Sequence, residues 1–126
     1  MPGLTWKRVR KFLICAHCDA QIGVAAYRPL LSWRLDITSH EGYQITPVAG
    51  SVQLRIAQRQ LADAAPAEEL EARWRLDFIN RNLQEVIYDL PCRRGHRTLM
   101  TEPQIARAIR QSQGEWVKLV EAQYFG

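Results

Sequence analysis

The chain has 126 residues, 47% hydrophobic and 24% charged, which is enough for one ordinary core and too few for two, so disorder is excluded and one domain over 1–126 is expected. A formal net charge of +4 and a pI near 9.3 permit contact with nucleic acid or another anionic surface without requiring it. No apolar run nears the roughly 18 residues of a membrane span, and the basic start Trp6-Lys7-Arg8-Val9-Arg10-Lys11 precedes only Phe12-Leu13-Ile14, so neither a membrane partner nor a signal peptide is expected.

In chain order, Leu13 to Val24 reads as a strand, a tight Cys-x2-Cys turn and a returning strand closed by Tyr27. Trp33 to Thr38 alternates apolar with polar residues, Ser39-His40-Glu41-Gly42 is turn chemistry, and Tyr43 to Thr46 alternates again, which predicts a hairpin. Beyond Pro47 and Gly50, Val52, Leu54 and Ile56 continue the period of two, while Ile56, Ala57, Gln60 and Leu61 suit a helix; strand followed by helix is expected. The Ala-rich piece Ala62 to Ala67 is the one candidate linker. Pro66 suits a helix start, and Leu70, Trp74 and Phe78 recur every four residues beside Ile79, predicting a helix from about Ala67 to Asn82 with these residues on its apolar face. Val86 to Leu90 is a strand that runs into Pro91-Cys92-Arg93-Arg94-Gly95-His96, and Thr98 to Met100 returns from it. Thr101 with Gln104 forms a capping-box pattern for a helix that buries Ile105, Ala108 and Ile109 and stops at Gly114. Glu115 to Val120 is a final strand.

Three cysteines without a signal peptide point to reduced thiols in the cytoplasm, not to a disulfide framework. A Cys-x2-Cys turn directs two sulfurs toward one point, and tetrahedral zinc needs a second turn to supply the remaining pair. Cys92 and His96 do so, with Gly95 between them able to adopt a left-handed backbone. The expected ligands are therefore Cys15, Cys18, Cys92 and His96. His17, inside the first turn, and His40, in the predicted hairpin turn, compete for the fourth place, and thiolate-rich sites accept iron as well as zinc. Cys15/Cys18 as a redox pair is the alternative; it wants a helix after the first cysteine, which the sequence does not offer. A c-type haem wants His where Asp19 stands.

The layout Cys-Ala-His-Cys in one hairpin and Cys-Arg-Arg-Gly-His in another resembles the zinc-ribbon class, in which two knuckles clasp one metal. The resemblance covers residues 12–27 and 86–100 and implies a metal scaffold. The 73 residues between Cys18 and Cys92 exceed the insert of a minimal ribbon. The expected architecture is α+β: a zinc-ribbon-like pair of β-hairpins, a small antiparallel sheet and helix inserted over 28–85, and a C-terminal helix and strand over 101–126, with two helices in all.

A Cys3His set fills the tetrahedron, so one structural Zn2+ is expected, and no nucleophile with a base, phosphate loop or paired carboxylates suggests an enzyme. Asp19 and Asp89 are expected to be hydrogen-bonded turn residues or partners for arginine. Lys7, Arg8, Arg10 and Lys11 precede the first knuckle, Arg93, Arg94 and Arg97 surround the second, and Arg107 and Arg110 follow on the capped helix; closure of the site would gather them for phosphate contact. The same arginines also suit a zinc–thiolate centre of net charge −1. The 14 arginines against 3 lysines match GC-rich bacterial usage. The expected function is a non-enzymatic adaptor for nucleic acid or a nucleoprotein. A protein-interaction module using the edge of the Trp33 to Ile56 sheet is the alternative, with Trp33, Trp74 and Trp116 assigned to the core or its rim.

Overall fold

The computed structural model describes residues 9–28 and 32–119. In chain order these form β1 (Val9–Cys15), β2 (Gln21–Arg28), β3 (Ser32–Ser39), β4 (Gln44–Ile45), β5 (Val48–Ala49), α1 (Gly50–Ala62), a 3-10 turn (Pro66–Glu68), α2 (Glu69–Arg81), β6 (Val86–Pro91), β7 (Arg97–Thr101), α3 (Glu102–Gln111) and β8 (Trp116–Leu119). The protein is α+β, as expected, with three α-helices among the described residues instead of two. None of these helices is long and apolar enough to cross a membrane.

The strands form two sheets. One has the order β4-β3-β2-β1-β8 and the other β5-β6-β7. β1 pairs antiparallel with β2 and β2 with β3, while β8 adds to the free side of β1 in parallel, Leu13 opposite Val117 and Cys15 opposite Leu119. Alternation along β1 sends Leu13 and Cys15 inward and leaves Phe12 and Ile14 half-buried on the other face. Where β2 crosses β3 the two backbones come so close that a Cβ on Gly23 would lie 2.0 Å from the Thr38 carbonyl oxygen, so only glycine fits there.

The inner face of the five-stranded sheet (Leu13, Ala25, Tyr27, Leu35, Ile37, Val117) packs against Tyr88, Leu90 and Met100 of the small sheet and Ile105 and Ile109 of α3. The opposite face of the small sheet presents Ile87 and Leu99 to Ala57 of α1 and to Phe78 and Ile79 of α2. β6 is thus covered on both sides, which accounts for its nearly unbroken apolar run. The run's polar member, Asp89, lies on the helix side, where Arg75 of α2 donates to it at 2.9 Å and Arg97 of β7 at 3.0 Å. It is the partner of arginine that its sequence context suggested.

Three expectations are corrected. Strand β5 ends at Ala49, and Val52 and Ile56 lie in α1 half exposed to solvent, while Gln53 and Ala57 face inward; the period of two was incidental, because the helix turns Ala57 into the cluster with Phe78 and Ile79. Leu70 is 82% exposed, since the inward face of α2 is the one that carries Ala72, Arg75, Phe78 and Ile79, and Leu70 lies on the far side of the helix from it. Helix α3 stops at Ser112, two residues before Gly114, with Ala106 buried where Ala108 was expected and Ala108 only half-buried against the core. Its start is as expected: the Gln104 amide donates to the Thr101 hydroxyl at 3.3 Å and the Thr101 amide to Gln104 Oε1 at 3.0 Å.

Tyr88 lies in the main core with its hydroxyl donating to Glu102 at 3.4 Å. Burial, then the Glu102 carboxylate, pushes its pKa from 10 up to about 12. In the unfolded chain the phenol loses its proton near pH 10, while the folded chain holds it to about pH 12, so the unfolded state binds fewer protons in this window and stability falls as pH rises. The expected loss is about 2–3 kcal/mol across the window, at roughly 1.4 kcal/mol per unit. Urea titrations at pH 9.5 and 11.5 measure it, and Tyr88→Phe should flatten the slope; equal slopes in both proteins would refute the assignment.

Candidate metal centre between the two sheets

The two cysteine turns are built alike. Cys15 closes β1, and residues 16–18 turn the chain so that the Cys15 amide donates to the Ala20 carbonyl at 2.9 Å and the Asp19 amide to the Cys15 carbonyl at 3.0 Å. Cys92 follows β6, its amide donating to the His96 carbonyl at 2.9 Å and the Gly95 amide to the Cys92 carbonyl at 3.0 Å. In each turn the amide two residues on reaches the first sulfur: His17 N–H to Cys15 Sγ at 3.4 Å, Arg94 N–H to Cys92 Sγ at 3.3 Å. Each turn also needs one left-handed residue, Asp19 (φ 59°) in the first and Gly95 (φ 91°) in the second. Asp19, one of the few side-chain types that tolerates this conformation, pairs with Lys118 of β8 at 2.7 Å.

β1 and β2 belong to the five-stranded sheet and β6 and β7 to the small one, so the two turns arrive from different sheets. The Arg93 amide donates to the Gln21 carbonyl at 3.1 Å and locks them together. One ligand atom each from Cys15, Cys18, Cys92 and His96 then lies within 4.8 Å of all the others. Cys18 Sγ is 3.6 Å from Cys92 Sγ, and Cys92 Sγ is 3.6 Å from His96 Nδ1. A tetrahedron built with ordinary zinc–sulfur and zinc–nitrogen bonds has edges of about 3.8 Å between sulfurs and about 3.6 Å between sulfur and nitrogen. The two measured edges fit, and the four residues can hold a metal ion. No family of known proteins, no curated protein and no solved structure matches the chain.

Cys15 and Cys92 are buried, Cys18 is half-buried and His96 is exposed, so the centre is closed toward the core and open at the imidazole. Burial pushes the Cys15 thiol up to about 11, with the amides of His17 and Cys18 opposing it. Burial also acts on Cys92, but the Arg94 amide and the side chain and amide of His96 outweigh it and bring that thiol down to about 6. A cation among the sulfurs would draw both to the thiolate form, as coordination generally does. The three cysteines form no disulfide.

The competing histidines separate clearly. His40 lies in the turn after β3 and takes no part in the cluster. His17 is exposed and stacks its ring on that of His96, centroids 5.4 Å apart and planes 26° apart. Its place against the ligand histidine was not foreseen, because the sequence shows only that an intervening side chain of a knuckle points outward.

Of the expected phosphate-contacting residues, Lys7 and Arg8 lie outside the described residues, as does Trp6. Arg10, Arg93, Arg94, Arg107 and Arg110 are exposed, and Lys11 reaches from β1 to the Gly114 carbonyl. Arg97 is half exposed with its guanidinium on Asp89. Arg107 shares the wall of a cavity of about 450 Å³ with Lys118, and Lys118 ties that wall to the first knuckle through Asp19. Trp116 is 58% exposed and stacks on Phe12 at 4.7 Å. The side chain of Trp33 lies outside the described residues.

Proposed function

We propose that this protein is a cytoplasmic, non-enzymatic adaptor in which one structural Zn2+, held in a zinc-ribbon-like clasp by Cys15, Cys18, Cys92 and His96, fixes a basic surface for contact with nucleic acid or a nucleoprotein. The observation that carries the reading is the Cys3His cluster itself, four donors within 4.8 Å of one another: bound together to one zinc they would fill its tetrahedron and leave no position for a reacting water, which suits a structural site. The exposed side chains of Arg93 and Arg94 project from one of its turns. Three thiolates and a neutral imidazole around Zn2+ carry a net charge of −1, which two exposed arginines more than offset, leaving positive charge for a phosphate.

Elemental analysis of protein purified without added metal tests the first half, one zinc per chain being expected. The second half is tested by binding a labelled oligonucleotide between 50 and 200 mM salt. Affinity should fall steeply with salt, and replacing Arg93, Arg94 and Arg97 together by alanine should weaken binding at least tenfold and reduce the log–log salt slope by about 2 to 3. Binding indifferent to salt, or to the triple replacement, would rule the basic surface out.

The alternatives draw less support. A partner that extends the Trp33 to Ile56 sheet would meet at that edge the two-residue strand β4, a short template for strand addition. A thiol redox enzyme would use Cys15 with Cys18, yet Cys15 is fully buried with a raised pKa, the opposite of a reactive thiol.

A further inference from the structure

A cavity of about 460 Å³ opens directly beside the metal cluster, lined by His17 and His96 on the knuckle side, Leu70, Glu71 and Trp74 of α2, and Arg97 of β7. Its size falls within the range of ordinary ligand sites. Two of its walls are flat. The His17 and His96 rings lie one on the other, and the Trp74 indole is braced from behind by Phe78 at 5.8 Å, planes 29° apart. Leu70, the apolar side chain that the fold leaves 82% exposed, stands at its rim. Arg97 is oriented by Asp89, and Glu71 adds an acceptor.

Flat aromatic walls, one guanidinium and one carboxylate around a partly apolar space suit a planar ring with hydrogen-bonding edges. The surroundings identify which kind of molecule carries it. Arg93 and Arg94 are exposed in the adjoining turn, and a second cavity of about 640 Å³ continues past Glu71 and Arg97 to Arg55 and Arg59 of α1. Arg55 and Arg59 are both exposed. Asp63 and Glu68 also line that second cavity and limit the track to its arginine side. An aromatic slot flanked by cationic side chains is the general plan by which proteins hold single strands, each base stacked and each phosphate neutralised.

We propose that the groove between the second knuckle and α2 receives an unpaired base of a single-stranded nucleic acid, stacked between Trp74 and the His17–His96 pair, with its flanking phosphates on Arg93, Arg94 and Arg97. The proposal rests on the nucleic-acid reading above and adds to it a preference for single strands and a location. Glu71 accepts from an exocyclic amine or ring N–H of the base.

The test compares a labelled 12-nucleotide single strand of mixed sequence with its duplex at one salt concentration, using the full chain loaded with zinc. The wild type should bind the single strand at least tenfold more tightly. His17→Ala and Trp74→Leu should each remove a factor of about 5 to 20 from single-strand affinity, stacking being worth about 1–3 kcal/mol per base. Duplex affinity and zinc content should be unchanged, and Trp74→Phe should restore most of the loss. His17 is exposed and Leu70→Ser alters only the rim, so these two keep the test readable if Trp74→Leu fails to fold. Duplex bound as tightly as single strand, or His17→Ala and Leu70→Ser both without effect on single strands, would overturn the groove and leave the basic surface standing. Binding of neither nucleic acid by the wild type would overturn both.

Discussion

Cys92→Ser is expected to lower the stability of the metal-loaded protein by about 4 kcal/mol and its melting temperature by roughly 15 °C, together with loss of metal binding. The sulfur of Cys92 is buried where the two sheets meet, and both of its measured donor separations are tetrahedral edges. A ligand that binds only the folded state stabilises it by about 4.1 kcal/mol at a thousandfold excess over its dissociation constant, and one kcal/mol moves the melting point of a chain of this size by about 4 °C. Serine brings no thiolate and leaves a hydroxyl among apolar neighbours. Cys15→Ser should behave alike, Cys15 being fully buried on the other sheet. His96→Ala should cost less than half as much, because the imidazole is exposed and water can enter the fourth position. Differential scanning calorimetry with metal analysis checks the order. Chelated wild type should melt with Cys92→Ser, and coincident curves for treated and untreated wild type would remove the metal from any structural role. The main core has many members besides the ligands, so the apo chain should keep its secondary structure, unlike a minimal zinc finger.

The knuckles were legible because their chemistry is local: two ligands three residues apart, or four, with a glycine between them, are visible in one short window. The capping box of Thr101 and Gln104 was legible for the same reason. What the sequence concealed was long-range. Nothing in Leu13 or Val117 says that β1 and β8 run parallel side by side, since each strand shows only its own alternation. Nor does either hairpin reveal that it belongs to a different sheet from the other, so that a metal ion held by the four residues would bond two layers and not staple one ribbon. Leu70 was misplaced because the four-residue spacing of Leu70, Trp74 and Phe78 drifts by about 40° per step around a helix, so that the face carrying Ala72, Arg75, Phe78 and Ile79 leaves Leu70 on the far side. The groove beside the metal centre follows from that same misplacement: the residue expected to close the core stands instead at its rim.

Asp89 is where the second large effect is expected. Its carboxylate accepts from Arg75 and from Arg97, whose side chains are 9% and 50% exposed. The unequal exposure decides the outcome. Removing Asp89 returns Arg97 to water at little cost, since exposed pairs contribute about 0–1 kcal/mol, but leaves the Arg75 guanidinium buried between α2 and the small sheet without a counter-charge. Breaking a buried pair on one side costs about 3–5 kcal/mol, so Asp89→Ala should destabilise by about 3–4 kcal/mol in urea titration. Arg97→Ala should cost less than 1 kcal/mol. Arg75→Met with Asp89→Leu, which exchanges the buried charges for apolar surface of similar volume, should regain most of the stability, because the penalty in the single variant is an orphaned charge and not a lost attraction. A double variant as unstable as Asp89→Ala would show that the pair, and not the desolvation of Arg75, holds α2 on β6. Because Arg97 also lines the groove beside the metal centre and is oriented by Asp89, the double variant leaves its guanidinium without that support. Single-strand affinity should then fall while stability is recovered, which separates the role of Asp89 in anchoring α2 from its role in aiming Arg97.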